Sequence, residues 1–413
     1  MPRFEPFAAL RFHPDLPLGV VTAPPYDVLS EADAEALRAS HGRNIVHVDL
    51  PREADGPMRY DRAGRTLQHW RDDATLVTDE RPSFTLYRMR FTDEAGRQRH
   101  TVGVLGALEV VDEGAAGVLP HERTTPKAKT DRLDLTRATS ANLSPVWGLS
   151  LTAGLTDVLR EPGQPAGSFT DEHGVEHSVE RVDDPARVDA IAAAVGANPV
   201  LIADGHHRYA ISRTFRDEVR ARAGSATDAE LTLTFVAELV EDQLSIDAIH
   251  RVYRGLDSAA LAERLAGYFE PTEAGPIDAT AAAQVTQRAA LCFVRPDGTG
   301  VWLTPRPERF EGVRQLDGAL LEAALDGVDV AVDYQHGVDR TVALVTSGAA
   351  DAAVLIRPTS IAEIRRTADE RLLMPPKSTF FTPKLRTGLV VRPLDLSPRR
   401  PAEGPWAALR AAY

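Results

Sequence analysis

The chain has 413 residues, of which 43% are hydrophobic and 26% are charged, and its formal net charge is −13. This length predicts two or three folded units, and the composition is typical of a globular protein rather than a disordered one. The acidic balance makes DNA an improbable partner, because DNA-binding proteins neutralise phosphates with an excess of Lys and Arg.

Features that the sequence lacks limit the cellular compartments and the kinds of site that we expect. No run approaches 18 consecutive apolar residues, so we expect no membrane span, and residues 1–14 lack the apolar core of a signal peptide. Cys292 is the single cysteine, which excludes an internal disulfide framework and a Cys-rich zinc site. We therefore expect a cytoplasmic protein with no membrane partner.

Residues 1–112 are predicted to form an N-terminal α/β region. A Ser N-cap and an acidic first turn predict a helix over residues 30–40, and alternation of apolar and polar residues predicts a strand over 44–50. A further helix is expected to extend to about Asp73. The runs FTLYRMRFT and TVGVLGALEVV follow as strands, with DEAG as the turn between them.

Residues 113–250 are predicted to form the core that carries the functional motifs. Their first part, up to Ser144, is polar and has no strand periodicity, which is common in functional loops. A strand (VWGLSLTA), a Gly/Pro-rich loop and a helix (DPARVDAIAAAVG) are expected next. The segment NPVLIADGHHRYAISRTFRDEVRARAG then predicts a strand, a turn and a long helix, and TLTFVAELV predicts another strand.

Residues 251–413 are predicted to form a C-terminal α+β domain. Helices are expected at LDSAALAERLAGYF, LDGALLEAAL and SIAEIRRTADERL, and strands at AALCFVR, GVWLTP and AAVLIRP. The tail SPRRPAEGPWAALRAAY is expected to be a loose or docking segment. The whole chain is therefore expected to belong to the mixed α/β class.

The most specific functional motif follows an apolar strand and opens a helix: Asp204-Gly205-His206-His207-Arg208. A strand-to-helix turn offers backbone N–H groups and the positive end of a helix, which suit a phosphate. Gly205 permits tight backbone geometry, and the two imidazoles and the guanidinium add hydrogen-bond donors. Asp204 would orient these groups or hold a magnesium ion. The alternative is a capped helix start with incidental histidines.

A second candidate segment, HERTTPKAKTDR, begins with His121-Glu122. A carboxylate beside a histidine suits general-base catalysis, and the cations that follow suit phosphate binding: Lys127, Lys129 and Arg132. Because the fifth residue of the motif is Thr, it is not the HExxH zinc pattern. The alternative is a solvated charged loop.

Lysine is unusually rare and is confined to two segments. Only four of the 47 basic residues are Lys, at positions 127, 129, 377 and 384. Arg serves elsewhere, which indicates that these positions need a compact, flexible ammonium. We expect Lys377 or Lys384 in PPKSTFFTPK to reach a cleft shared by Glu122 and Asp204, and the rigid turn APPYD (23–27) to line it. The alternatives are chance clustering and an ordinary Pro-rich connection.

Five motifs together resemble the bacterial family of unknown function numbered 1015: PPYDV (24–28), HERTTPKAKTDRLDL (121–135), ANLSP (141–145), ADGHHRY (203–209) and PPKSTFFTPKL (375–385). This resemblance spans nearly the whole chain. The sequence contains no Walker A motif, no Rossmann GxGxxG and no kinase HRD/DFG set, so phosphoryl chemistry would need another scaffold.

A more distant resemblance is to the free-serine kinases of the ParB-like superfamily, which share a His-Glu pair and a later strand–Asp-Gly-His-His-Arg–helix. The resemblance implies a ParB/serine-kinase-like core with Glu122 as the catalytic base and Asp204 as its acidic partner. It also implies phosphate ligands at His206, His207 and Arg208. The implied cofactors are a nucleoside di- or triphosphate (ATP or ADP) and Mg²⁺.

The favoured function is nucleotide-dependent phosphoryl transfer to a small hydroxyl metabolite, with free serine as the first acceptor to test. Residues 123–203 separate the two motifs, which is longer than the compact spacing of that superfamily. Two alternatives therefore stay open: a phosphatase or nucleotidase that uses the same phosphate site, and a non-catalytic nucleotide-binding switch of the ParB-like type. The sequence leaves the oligomeric state open.

Overall fold

The computed structural model describes residues 1–93, 96–122, 129–278 and 280–398, without the side chains of residues 129 and 130. Its contacts define two compact units. The first lies within Met1–Pro120, Thr124–Leu244 and Pro383–Tyr413, and the second within His121–Arg123 and Ser245–Thr382. These bounds differ from those of the three regions expected from the sequence. The division into three domains stays a prediction.

The helices of the first unit include the four that the sequence predicts there. They are α1 (Leu18–Val21), α2 (Glu31–Ser40), α3 (Val46–Asp49), α4 (Arg59–Asp72), α5 (Lys129–Thr139), α6 (Leu155–Val158), α7 (Pro185–Gly196) and α8 (His206–Ala223). Helix α2 begins with a capping box, because the Ser30 hydroxyl accepts from the Asp33 amide at 3.2 Å and the Asp33 carboxylate accepts from the Ser30 amide at 3.1 Å.

The strands of the first unit are β1 (Phe4–Glu5), β2 (Leu10–Phe12), β3 (Leu76–Thr78), β4 (Phe84–Thr92), β5 (Gln98–Glu109), β6 (Val118–Pro120), β7 (Ala141–Asn142), β8 (Val146–Ser150), β9 (Gln164–Thr170), β10 (Glu176–Val182), β11 (Val200–Asp204) and β12 (Leu231–Glu238). The large sheet has the order β6-β11-β8-β12-β5-β4-β10-β9, with β1 on β5. Strand β11 is parallel to β6 and antiparallel to β8. Its residues Val200–Ala203 are buried, which fixes the position of Asp204 at its end.

The second unit is built on an antiparallel sheet with the order β15-β17-β16-β19-β14-β18, beside a separate pair, β13–β20. Its strands are β13 (Ser245–Asp247), β14 (Ile249–Arg254), β15 (Phe269–Pro276), β16 (Leu291–Val294), β17 (Thr299–Pro305), β18 (Ala331–His336), β19 (Ala352–Leu355) and β20 (Phe380–Thr382). Its helices are α9 (Ser258–Ala266), α10 (Ala281–Arg288), α11 (Asp317–Ala324), α12 (Val338–Thr346) and α13 (Ile361–Glu370). Cys292 is buried here, and burial raises the pKa of its thiol to about 12, as expected of a structural residue.

The C-terminal segment of the first unit crosses the rest of that unit. Strand β21 (Arg392–Pro393) pairs with β7, and single bridges join Val391 to Leu10 and Thr387 to Ala23. These contacts fix the position of Lys384 although it lies far along the chain from the other residues around it.

The mixed α/β class predicted from the sequence is confirmed, but two local predictions are wrong. Residues 44–50 contain the one-turn helix α3 instead of a strand, because the Asn44 side chain accepts from the Val46 amide at 3.0 Å and donates to the Val20 and Thr22 carbonyls. The Gly/Pro-rich loop contains β9, an edge strand of the large sheet. An edge strand tolerates proline, which has no backbone N–H to donate, because one of its sides has no partner strand.

Parts of two further predictions lie outside the described residues: the centre of the DEAG turn and most of the C-terminal tail. In the part of the chain that is described, no helix is both long and apolar enough to cross a lipid bilayer.

Candidate functional site

The Asp204-Gly205 turn joins the buried strand β11 to the 18-residue helix α8, as the sequence predicts. Gly205 has a φ of +84°, in the left-handed region that favours glycine. Among the described residues, no side chain caps the start of α8. His206 and His207 occupy its first turn and are half-buried. The turn therefore carries the positive end of a long helix.

The Asp204 carboxylate joins two cations to this turn. Its Oδ2 lies 3.3 Å from Lys384 Nζ and 3.3 Å from Arg208 Nη2, while its Oδ1 accepts from the Gly205 amide at 2.9 Å. Burial would raise the pKa of Asp204, but the charges of Lys384 and Arg208 outweigh it and lower the pKa. Asp204 is therefore ionised at neutral pH.

Arg208 lies almost buried against the turn, with 9% of its side chain exposed. Its Nη1 donates to the Pro145 carbonyl, and its Nη2 lies 3.5 Å from Asp27 Oδ2. Burial would lower its pKa, but the carboxylates of Asp27 and Asp204 outweigh this and raise it. A Cβ on Gly205 would lie 3.0 Å from Arg208 Nε, so glycine also makes room for this guanidinium.

Arg132 forms a second buried cationic group in the same unit. Its Nη1 donates to the Asp49 carbonyl at 2.6 Å and lies 3.3 Å from the Asp49 carboxylate, and its guanidinium stacks 4.2 Å from the centre of the Tyr26 ring. Burial raises the pKa of both partners, that of Tyr26 to about 12. Arg132 is thus held by protein groups rather than directed outward as a loop cation.

A cavity of about 50 Å³ separates these two arginines, with Asp49 and Ser144 in its lining. A drug-sized ligand needs roughly 300 Å³ or more, so this cavity is too small for a nucleotide. Its volume is enough for a few water molecules, since each needs about 10–15 Å³. The cavity therefore has room for water but not for a molecule the size of a nucleotide.

His121 and Glu122 belong to the second unit and contact the segment that precedes β20. His121 is fully buried, and its Nε2 lies 2.7 Å from the Thr379 hydroxyl oxygen. Glu122 Oε2 accepts from the Ser378 amide at 3.2 Å and lies 3.9 Å from His121 Nε2. The Met374 amide donates to the His121 carbonyl at 2.8 Å, which aligns the two segments as a short parallel bridge.

Lys377 lies in the turn that carries the Ser378 amide. Its φ of +57° is unusual for a residue with a side chain. Arg251 is buried below the turn and donates to the Lys377 carbonyl at 3.2 Å. Burial lowers the pKa of Arg251, although the nearby Tyr and Glu side chains, including that of Glu122, act in the opposite direction.

Apart from Arg132, the predicted site residues with described side-chain contacts fall into two groups, one in each unit. Asp204, Arg208 and Lys384 form the first, while His121 and Glu122 lie with the turn of Lys377 in the second. That Glu122 and Asp204 share one cleft stays a prediction. Lys127 and the side chain of Lys129 lie outside the described residues.

Three residues gained importance only from the structure. Asp49 is the buried acceptor of Arg132, and the sequence offered no indication of it beyond a polar residue at the end of an apolar run. Thr379 and the Ser378 amide contact the His-Glu pair, and the sequence had pointed to their segment through its lysines.

Comparison with known proteins places the chain in a family. Residues 4–319 match the family described as "Protein of unknown function (DUF1015)". The chain belongs to this family. No curated protein is significantly similar to it.

Several solved structures are similar to this DUF1015 protein over about two thirds of its length. A conserved hypothetical protein from Pyrococcus furiosus is 14% identical, with 66% of this chain and 92% of that chain covered and a TM-score of 0.36. A free serine kinase in complex with AMP is 14% identical, with coverage of 67% and 96% and a TM-score of 0.35. SbnI with a C-terminal truncation, from Staphylococcus aureus, is 15% identical, with coverage of 70% and 87% and a TM-score of 0.37.

Proposed function

We propose that this DUF1015 protein transfers a phosphoryl group from a nucleoside di- or triphosphate to the hydroxyl of a small metabolite, with free serine as the first acceptor to test. The observation that carries the proposal is the Asp204-Gly205 turn. There an ionised carboxylate holds two cations at the positive end of an 18-residue helix. Catalysis of phosphoryl transfer depends mainly on such positioning and charge neutralisation.

In this proposal the turn binds the phosphates of the nucleotide. The amides at the start of α8 and the side chains of His206, His207, Arg208 and Lys384 would donate to phosphate oxygens. The left-handed Gly205 allows the backbone to approach the ligand closely. Lys384 is suited to this role because it already lies 3.3 Å from the carboxylate that orients it.

Glu122 would act as the general base. It would take the proton of the acceptor hydroxyl while the hydroxyl oxygen attacks the terminal phosphorus and the shortened nucleotide leaves. Support comes from its orientation, since the Ser378 amide donates to Oε2 and 16% of its side chain is exposed. Asp204 is the poorer candidate for this role because its lowered pKa means a weak affinity for protons.

A magnesium ion would fit Asp204 only together with the nucleotide. Among residues 1–93, 96–122, 129–278 and 280–398, no cluster of three or more His, Cys, Asp or Glu is arranged to hold a metal ion. Magnesium is commonly held by one or two carboxylates plus phosphate oxygens and water, so a single carboxylate is compatible with it. When bound, the ion would neutralise phosphate charge.

The test is turnover by the purified protein with serine and either ATP or ADP, in the presence of Mg²⁺. We expect phosphoserine to form in step with the loss of one phosphate from the nucleotide. Phosphate release that is independent of serine would favour the phosphatase or nucleotidase. A rise in the unfolding midpoint with nucleotide but no turnover would favour the switch. The proposal would be refuted if the protein neither bound nor turned over any nucleoside di- or triphosphate.

A further inference from the structure

Two distant segments of the second unit form one hydrogen-bonded group around the His-Glu pair. Glu122 contacts Ser378, which lies 256 positions further along the chain, and His121 contacts Thr379, which lies 258 positions further along. The Met374 amide adds a third contact to the His121 carbonyl. The pair is thus oriented by groups that no local motif encodes.

Thr379 is the side chain that contacts the imidazole. Its hydroxyl lies 2.7 Å from His121 Nε2, where it can donate or accept depending on which ring nitrogen carries the proton. Phe381 contacts the same ring edge-on, with 6.4 Å between ring centres. His121 is fully buried and Thr379 is 9% exposed, so water cannot easily replace this hydrogen bond.

The backbone of the turn before Thr379 is held at several points. Arg251 donates to the Lys377 carbonyl at 3.2 Å, and the Thr359 hydroxyl donates to the Ser378 carbonyl at 2.8 Å. The Ser378 hydroxyl donates to the Pro375 carbonyl at 2.7 Å. These contacts fix the Ser378 amide, which in turn fixes one oxygen of the Glu122 carboxylate.

We infer that Thr379 is a positioning residue, whose hydroxyl fixes the ring orientation of His121 and thereby keeps Glu122 in the orientation of a base. The imidazole lies 3.9 Å from the carboxylate, so the position of its proton changes the local field at Glu122. The effect on rate rests on the proposed function, whereas the effect on His121 does not.

The first test is the NMR spectrum of the ¹⁵N-labelled histidines of the full chain, with His121 assigned through His121→Gln. In the wild type we expect one tautomer of the neutral His121 ring at about pH 8, above the ordinary histidine pKa. Thr379→Val should shift the His121 ring signals, and Thr379→Ser should restore them. Thr341→Val is the matched control, because Thr341 is a buried threonine of the same unit whose hydroxyl donates to the Gly337 carbonyl at 2.7 Å.

Activity gives the second readout. Thr379→Val should lower kcat about tenfold, the effect of one buried hydrogen bond, and change the pH profile while the KM for nucleotide stays constant. Thr379→Ser should keep most of the activity, and Thr341→Val should leave the pH profile unchanged. Unchanged His121 signals in Thr379→Val would overturn the inference. If the valine variant does not fold, rapid averaging between the tautomers of His121 in the wild type would overturn it instead. A wild type without turnover would contradict only the proposed function.

Discussion

The Asp204 turn of the first unit and the His-Glu pair of the second orient a carboxylate by different physical means. Asp204 is held by two charged side chains, each 3.3 Å from Oδ2. Glu122 accepts from a neutral backbone amide, and its neighbour His121 contacts a neutral hydroxyl. The contacts described for Asp204 are charge-assisted, and those described for the His-Glu pair come from neutral hydrogen-bonding groups.

This difference assigns the two carboxylates to different roles. Opposite charges lower the pKa of Asp204, which makes it a stable anion that organises cations and a weak acceptor of protons. The Ser378 amide fixes the direction of one oxygen of Glu122. We therefore expect loss of Glu122 to affect the chemical step, and loss of Asp204 to affect stability and phosphate binding.

The largest effect is expected for Glu122→Gln. Glutamine keeps the shape and can still accept from the Ser378 amide, but it cannot take the hydroxyl proton. Removal of a general base typically lowers the rate by roughly 10²–10⁴-fold. Nucleotide affinity should stay the same, because the change adds no negative charge. Phosphoserine formation and nucleotide affinity, measured on the same preparation, separate the two effects.

Asp204→Asn should mainly affect stability and nucleotide affinity rather than the chemical step. The variant leaves Arg208 and Lys384 nearly buried without their shared anion, which should lower the free energy of unfolding by about 2 kcal/mol. Nucleotide affinity should also fall, and it should depend less on Mg²⁺ if Asp204 holds the ion. Wild-type turnover by Glu122→Gln, together with a slow but normally binding Asp204→Asn, would reverse the assigned roles.

The stability difference between wild type and Asp204→Asn should depend on pH. Because folding lowers the pKa of Asp204, its contribution is fully present above the unfolded value of about 3.9 and is lost as pH falls toward the folded value. Urea unfolding should thus give equal differences at pH 7 and pH 5 and a smaller one at pH 3. Asp242→Asn, at an exposed position, is the control and should change stability little at any of these values.

The Asp204 turn was predictable because its determinants are local. An apolar run, Asp-Gly and an amphipathic helix follow one another in the chain, and each predicts its own backbone conformation. The start of α2 was predictable for the same reason, since a Ser N-cap and its carboxylate partner lie three residues apart. The structure adds which cations surround Asp204, and Lys384 arrives there from 180 positions away.

The surroundings of His121 and Glu122 could not be predicted, because they are set by long-range pairing. Rare lysines indicated the segment around Lys377, but not that its backbone amide would donate to Glu122. The false strand at residues 44–50 has a similar cause. Its alternating pattern is real, but the Asn44 side chain binds backbone groups of residues 20 and 22 and favours a helical turn.

A smaller effect is expected when the Asp204 turn is changed at its glycine. In Gly205→Ala, the left-handed φ of +84° and a Cβ 3.0 Å from Arg208 Nε should together cost about 1–2 kcal/mol and displace the guanidinium. Gly224→Ala, at the other end of α8, is a matched control with a φ of +66° and open space around the Cβ. Both should lose stability, but only Gly205→Ala should lose nucleotide affinity. Equal affinities in the two variants would remove Arg208 from the phosphate site.

The smallest change in stability is expected for Lys377→Gly. Lys377 has a left-handed φ of +57°, and glycine relieves that strain while it adds freedom to the unfolded chain. The two effects nearly cancel, so the free energy of unfolding should change by less than about 1 kcal/mol. Arg371→Gly is the matched control, since Arg371 ends α13 with a φ of +54° and is exposed.

Nucleotide affinity then separates the two glycine variants. If the ammonium of Lys377 contacts phosphate, Lys377→Gly should weaken binding about three- to tenfold, and the loss should shrink at high salt because screening weakens charge interactions. Lys377→Arg should recover only part of the affinity, since a planar guanidinium replaces a compact ammonium. Arg371→Gly should bind nucleotide like the wild type. If Lys377→Gly did so as well, the role of the strained backbone would be to aim the Ser378 amide at Glu122.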